Sequence, residues 1–461
     1  MLLEAVTETR ARAPASAGRA WTLAGVAAAL LAAGLAAIGA RRSFSLDEAE
    51  TVLHARRGWS ALAPFDADPS GSAYAALLHG WLQLGTSEWL ARVPSIAALA
   101  LATGVVHLLG GRLLGRRAGA LAAAALATSA FAVGAGRTAD ALALGLLAAV
   151  LATWLLGVAL ESEHALAWVA YTLVAAVGVY VHASCALVLP AHAVALAFAP
   201  RPSRRAGAVA VAAAGAAAAP AVALVLVRAR HLIDPLRQPS LGDVGRSVHD
   251  ASGRNALLLA LAAGGLAALA AGLPAAAEAW VLPLLVTWAA GPLVLLLALS
   301  IARPSLDVRY LVVSAPAVSL LAGAGLAALP LREALLAALV ATLALAAVRV
   351  VQLERSTAED WRSGVAAAFA VRRPGERVVV APARALSAFA RYAGRDRGSL
   401  VARGPAVVVL VRADGAESAL ELARRAVSAP AYALRDERRL DDRLWLQRWE
   451  RTGLPARRAR A

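Results

Sequence analysis

Residues 21–50 read WTLAGVAAALLAAGLAAIGARRSFSLDEAE, and the change of character inside them decides the fold. Trp21–Ala40 contains no ionisable side chain and matches the roughly 20 apolar residues a helix needs to cross a bilayer. Arg10, Arg12 and Arg19 precede it. A cleavable signal peptide is the alternative reading, because small residues end the run. Its apolar core would span only about 7–15 residues, however, and further spans follow. We read an anchor, followed at once by the polar segment Ser45-Leu46-Asp47-Glu48-Ala49-Glu50.

Outward from that stretch, apolar runs recur at 92–110, 118–134, 139–160, 165–181, 183–199, 206–228, 255–272, 278–300, 310–329 and 333–351. By the length rule this predicts about eleven spans. Composition agrees: the 461 residues are 60% hydrophobic and 16% charged, whereas soluble domains carry about 25% charge. A single core stops growing at roughly 250–300 residues, so lipid must take the excess.

Arginines set the expected orientation. Arg10, Arg12 and Arg19, then Arg112, Arg116 and Arg117, then Arg201, Arg204 and Arg205, and finally Arg332 fall on one side. The positive-inside rule makes that side cytoplasmic, with the N-terminus in the cytoplasm and residues beyond 351 outside. The alternation requires that Ser72–Gly85 not cross. Its Tyr74, His79 and Trp81 suit an interfacial helix, so 41–91 is expected to be one external loop with two such helices. From about 352 the Val-rich runs Arg377–Ala381 and Ala406–Arg412 read as buried strands. Ala383–Tyr392 and Ala416–Ala429 have helical spacing, and Leu444–Trp449 reads as a last strand. The expected organisation is a membrane domain over 1–351, an extracytoplasmic α/β domain over 352–450 and a disordered tail over 451–461. The fold class is a polytopic α-helical membrane protein.

The net charge of +16 invites a nucleic-acid reading. Every basic residue is arginine, many lie in the C-terminal quarter or in short loops, and no motif lays out a stripe of phosphate contacts. We expect no nucleic-acid partner. The lone cysteine, Cys185, sits in an apolar stretch, which excludes disulfides and Cys-rich metal sites.

Carboxylates at a membrane surface are commonly just solvated. Asp47 and Glu48, however, sit where a helix leaves lipid and an apolar, aromatic run follows. A partly desolvated carboxylate becomes more basic, and a general base there can take a proton from an attacking hydroxyl.

Four ordered stretches then carry a resemblance: Asp47-Glu48; Trp81 to Gly85, with Glu88, Arg92, Pro94 and Ser95, leading to Gly111–Gly119; Tyr180-Val181-His182; and Arg309-Tyr310 with Asp360-Trp361-Arg362 ahead of Pro374-Gly375. Together they resemble the GT-C class of membrane glycosyltransferases, in particular bacterial relatives of the protein O-mannosyltransferases and the lipid A aminoarabinose transferase. The resemblance implies a polyprenyl-phosphate-sugar donor, an external active site and inverting transfer to an envelope glycan, lipid or protein. It maps onto Asp47, with Glu48 beside it, the family's aspartate that serves as the base or orients the acceptor. Two stretches depart from the family. Its His-Pro-Pro-Leu-Tyr-Tyr run corresponds to Asp68–Tyr74 here, and its Glu-Ala-Arg-Met-Tyr run to Gly134–Ala139, which keeps Arg137. An inactive relative that binds envelope lipid or scaffolds other enzymes is the alternative these losses raise.

A lipid phosphate needs cationic partners, and arginine binds phosphate bidentately. Arg137 and Arg309 are the expected partners, weighed against snorkelling or pairing with Asp140 or Asp307; Arg303 ranks below them. Asp68, Tyr74, Tyr180, His182 and Tyr310 are candidate substrate contacts, although a lone histidine such as His182 is more often a packing residue. No set has metal-ligand spacing, and no cofactor is expected; a divalent ion on Asp47, Glu48 and Asp68 is the alternative. A transporter or flippase would place ionisable groups mid-span, whereas nearly all the charge here is at span ends.

Overall fold

A computed structural model describes residues 15–57, 72–162, 164–232, 238–272, 278–330, 332–356, 359–374, 376–394, 398, 406–413, 418–428 and 431–452. Asp68, Gly375, Arg10, Arg12 and the tail beyond 452 lie outside the described residues. The chain forms two compact units, one from the described residues of Met1–Ile38, Trp59–Gly80 and Arg92–Leu353, the other from those of Gly39–Gly58, Trp81–Ala91 and Glu354–Ala461.

The first unit is helical. In chain order it holds α1 (Ala15–Ala37), α3 (Ser72–Trp81, which runs one residue past the unit's edge), α4 (Glu88–Leu113, within the unit from Arg92), α5 (Arg116–Thr128), α6 (Ala130–Gly136), α7 (Leu142–Ser162), α8 (Ala165–Val181), α9 (Leu189–Phe198), α10 (Arg201–Leu232), α11 (Leu241–Ala251), α12 (Ala256–Ala270), α13 (Val281–Ala302), α14 (Ala315–Ala328) and α15 (Arg332–Ser356, within the unit to Leu353). Helix α2 (Leu46–Ala55) belongs to the second unit. Among the described residues seven helices are long and apolar enough to cross a membrane, or up to nine if each of two bent pairs is one span. The expected runs 165–181 and 183–199 form shorter apolar helices instead. The run 118–134 is broken: α5 and α6 meet at 64° where Ser129 takes an extended conformation and its hydroxyl caps α6 through Ala132 N–H. A serine that caps from its own side chain competes with helix continuation.

Small residues let helix backbones touch. A side-chain carbon on Gly265 of α12 would overlap the Leu321 carbonyl oxygen of α14, and one on Gly325 would overlap the Leu261 carbonyl. On Gly323 it would sit 2.5 Å from the Ala118 carbonyl of α5. This is how helices associate in lipid, where apolar burial gives no preference for protein over tails. Buried tryptophans close the bundle; Trp288 is fully buried and its indole donates to the Val313 carbonyl at 2.7 Å.

Ends of helices can be matched within this unit. Arg112, ending α4, forms a bidentate pair with Glu161, ending α7, at 2.5 Å. Ser95, near the start of α4, donates to the Asp140 carbonyl ahead of α7 at 3.1 Å. The pairing agrees with the sequence-derived alternation, which puts 112 and 161 on one side and 95 and 140 on the other.

The second unit is built on a four-stranded sheet in the order β1-β2-β4-β3, with β1 (Arg377–Ala381), β2 (Ala406–Arg412), β3 (Tyr432–Arg439) and β4 (Leu444–Arg451). Strand β1 pairs parallel with β2, and the other pairings are antiparallel. Val378–Ala381 and Ala406–Val411 are buried throughout, as continuous apolar strands covered on both faces should be. Helix α18 (Ala419–Val427) packs Ala419, Ala423 and Val427 on one face. Helices α16 (Trp361–Val371) and α17 (Leu386–Tyr392) bury Trp361, Val365, Ala368, Ala388 and Phe389. Strand β3 has no counterpart in the sequence reading. It is an edge strand, exposed along Arg435–Arg439, and charge on an edge disfavours further pairing.

Candidate functional site

The acidic segment folds as α2 for local reasons. Ser45 is the N-cap, its hydroxyl accepts the Glu48 N–H at 3.4 Å, and Glu48 Oε2 accepts the Ser45 N–H at 2.9 Å. This reciprocal Ser-x-x-Glu box satisfies two otherwise unpaired donors, and acids in the first turn suit the helix dipole. Leu46, Ala49, Val52 and Ala55, three residues apart, form the buried face. Asp47 and Glu50, also three apart, are exposed together on another face. The two acids of the pair therefore differ: Glu48 is buried and engaged in capping, whereas Asp47 faces outward.

Glu50, the third acid of the segment, shares the face of Asp47. Partial desolvation by the surrounding residues, then the neighbouring Asp47 charge, raise its carboxyl above the ordinary 4.5 although its surface stays exposed, against the opposing pull of Arg384 and Arg412. Its i,i+3 spacing from Asp47 was the available signal.

The same unit grips α2 from residues far along the chain. The Leu46 N–H donates to Glu359 Oε2 at 3.0 Å, and the Ser43 hydroxyl donates to the Glu359 carbonyl at 2.7 Å. Trp361 Nε1 donates to the same Oε2 at 3.1 Å. Arg412 and Arg443 donate to Glu359 Oε1 at 3.0 and 3.1 Å. Burial alone would raise the Glu359 carboxyl, but Arg412 and the hydrogen bonds from Trp361 and the Leu46 amide outweigh it and hold it below the ordinary range. Nearby, the Phe44 N–H donates to Tyr392 Oη at 2.7 Å, and that hydroxyl donates to Glu88 Oε1 at 3.2 Å. Arg362 pairs with Glu88 at 2.7 Å. Burial, foremost, pushes the Tyr392 hydroxyl up to about 12.

The other candidates lie in the first unit. Tyr74 is 1% exposed and its hydroxyl bonds Ser95 Oγ at 3.1 Å. Tyr180, half-buried, donates to the Ala217 carbonyl at 3.0 Å. His182 Nδ1 bonds Ser184 Oγ at 2.7 Å, and its ring stands 5.8 Å from that of Tyr310. Arg309 is exposed and pairs with Asp307 through Nε and Nη2 at 3.0 and 2.9 Å. Arg137 is the C-cap of α6, which packs against the 3-10 turn Val308–Ser314 that carries Arg309 and Tyr310. His182, Tyr310 and Arg309 are thus brought together, with Arg137 following a helix that touches their turn. Asp47 and Glu48 belong to the other unit. Among the described residues no group of three or more His, Cys, Asp or Glu is arranged to hold a metal.

Residues 71–227 match the family model described as dolichyl-phosphate-mannose-protein mannosyltransferase. No curated protein sequence matches the chain. Among solved structures, apo ArnT from Cupriavidus metallidurans is similar with a TM-score of 0.59 at 16% identity, over 94% of this chain and 98% of that one. The same protein bound to undecaprenyl phosphate gives 0.58 at 16% identity, over 93% and 98%. The oligosaccharyltransferase AglB from Archaeoglobus fulgidus, in complex with an inhibitory peptide and a dolichol-phosphate, gives 0.57 at 11% identity, over 85% and 69%. At such identities the likeness establishes the fold. The resemblance to GT-C membrane glycosyltransferases read from the sequence holds, as does the fold class of a polytopic helical membrane protein with a small C-terminal sheet domain.

Proposed function

We propose that a chain with this GT-C fold is a membrane glycosyltransferase that moves a sugar from a polyprenyl phosphate to an envelope glycan, lipid or protein on the extracytoplasmic face of the cell membrane. The observation that carries the reading is the fold likeness, over 93% of this chain, to a protein whose structure holds undecaprenyl phosphate. The family match over residues 71–227 supports it.

In this mechanism the acceptor hydroxyl attacks the anomeric carbon in line. Its oxygen forms the new C–O bond, the bond to the phosphate oxygen breaks with inversion, and Asp47 takes the hydroxyl proton. Asp47 is preferred to Glu48 because Glu48 already serves the helix cap. Arg137 and Arg309 stabilise the negative charge developing on the leaving phosphate; Arg309 must then exchange its contact with Asp307 for the donor. Phosphate leaves readily without a general acid, and the reaction as written uses no metal or cofactor. Tyr310 and His182, beside Arg309, would line the donor, and Tyr74, Tyr180 and Asp68 are further contacts under the same reading.

An inactive, lipid-binding relative is the second reading, favoured by the departures at Asp68–Tyr74 and Gly134–Ala139. The test is mass spectrometry of envelope glycans and lipid extracts from a deletion strain complemented with wild type, Asp47→Asn, Arg137→Ala or Arg309→Ala. The transferase reading expects a lipid-linked sugar to accumulate in the deletion strain and with Asp47→Asn. Unchanged glycan output with both Asp47→Asn and Arg137→Ala would favour the inactive relative.

A further inference from the structure

We infer that Glu359 is a positioning residue that aims the Asp47 helix: by accepting the Leu46 amide it fixes the direction of the helix's first turn. The inference rests on the reading of Asp47 as the base. Everything it uses lies inside the second unit.

The side chain of Glu359 is 1% exposed and remains a carboxylate surrounded by donors. Burying a carboxylate is costly unless its oxygens are paired, and here each oxygen is. Oε1 takes Arg412 and Arg443; Oε2 takes the Trp361 indole and the Leu46 amide. Two of these partners, Arg412 and Trp361, are held in the domain that includes the sheet: Arg412 ends β2 and Trp361 begins α16. Oε2 therefore stands at a point fixed by the sheet domain and presents it to the start of α2.

Helix α2 does not need this contact in order to form. Its own box of Ser45 and Glu48 caps it, as Ser240 with Asp243 caps α11 and Ser418 with Glu421 caps α18. What the added carboxylate supplies is direction. Leu46 is the first helical residue, so its N–H points along the helix axis, and Asp47 is the next residue. Misplacing a catalytic group by about 1 Å can lower a rate about 100-fold.

The test uses the full chain in nanodiscs. The probe is the lipid extract of the deletion strain, in which the unused lipid-linked sugar is expected to collect. Glu359→Ala removes the acceptor. Leu46→Pro removes the donor together with the leucine side chain, at a position where proline is favoured in helices, after Ser45, whose φ of −66° and ψ of 169° suit a residue preceding proline. Leu46→Ala keeps the N–H and controls for the lost side chain. Positioning predicts that Glu359→Ala and Leu46→Pro each lower turnover about tenfold to 100-fold, with the half-saturating amount of extract unchanged, whereas Leu46→Ala stays within about twofold. Leu46→Pro turning over like Leu46→Ala would overturn the inference, as would losses that merely follow the fraction of unfolded protein in thermal melts. Asp47→Asn keeps the two readings apart. If it is inactive while Leu46→Pro is not, only the positioning role fails; if it keeps the wild-type rate, the base assignment fails and the inference falls with it.

Discussion

Two adjacent glycines on α12 should respond to the same substitution with opposite sign. Gly264 has nothing within 4 Å of where a side-chain carbon would stand, whereas at Gly265 that carbon would overlap the Leu321 carbonyl oxygen and lie 2.8 Å from the Gly325 nitrogen. Alanine is favoured over glycine in a helix by about 0.8–1.0 kcal/mol, and Gly264→Ala should realise up to that amount. At Gly265 the same gain is opposed by overpacking, which costs about 1–3 kcal/mol and more where backbone must move. The obstruction is backbone on α14, with no flexible side chain to swing aside, so the upper end applies and the net loss is about 2 kcal/mol. A shift of roughly 2 °C per kcal/mol, the low end for large domains, gives a fall of about 4 °C. Thermal unfolding of the purified protein in one detergent would compare wild type, Gly264→Ala, Gly265→Ala, Gly325→Ala and the 265/325 double variant. The double variant should lose less than the sum of the singles, since moving the helices apart once relieves both clashes. A Gly265→Ala protein as stable as Gly264→Ala would refute the claim that α12 and α14 touch through backbone.

Other expectations follow from single contacts. Trp288→Phe leaves the Val313 carbonyl without its buried donor and should cost about 1–3 kcal/mol; a melting temperature equal to wild type would contradict it. Arg112→Ala removes a pair whose partners are 28% and 40% exposed, so the loss should stay within about 1 kcal/mol, and a larger change in the same melt would show that the pair is shielded. Glu359, held below 4.5 in the fold, contributes stability that is complete above that value and is lost as pH falls through its lowered titration point. Protection of the β1 and β2 amides against exchange, taken relative to free-peptide rates at each pH, should therefore fall in acid, and less so in Glu359→Gln; identical acid responses would remove Glu359 as a cause.

Much of this architecture could be read from patterning, because lipid imposes a simple rule of length and polarity on every helix. The rule is silent on where a helix breaks. Ser129 bends the 118–134 run, and nothing in its hydropathy marks the bend. Strand β3 escaped notice since its Arg435–Arg439 half is charged and pairs only along one edge. At the acidic segment the pattern Ser45-x-x-Glu48 already distinguishes a capping glutamate from an outward-facing aspartate. Glu359 was beyond reach: its partners at Leu46, Trp361, Arg412 and Arg443 are brought together by the fold of the second unit, and no local spacing foretells such a meeting.

The hydrogen bond between Leu46 and Glu359 spans 313 positions, and that between Phe44 and Tyr392 spans 348. Ribosomes build a chain from its amino end, so the segment bearing Asp47 is made early and waits for partners that come almost last. A nascent or prematurely terminated product that ends between Ser356 and Glu359 contains every described helix of the first unit but lacks this anchor. Final setting of the acidic segment therefore waits on synthesis through Glu359 and Tyr392.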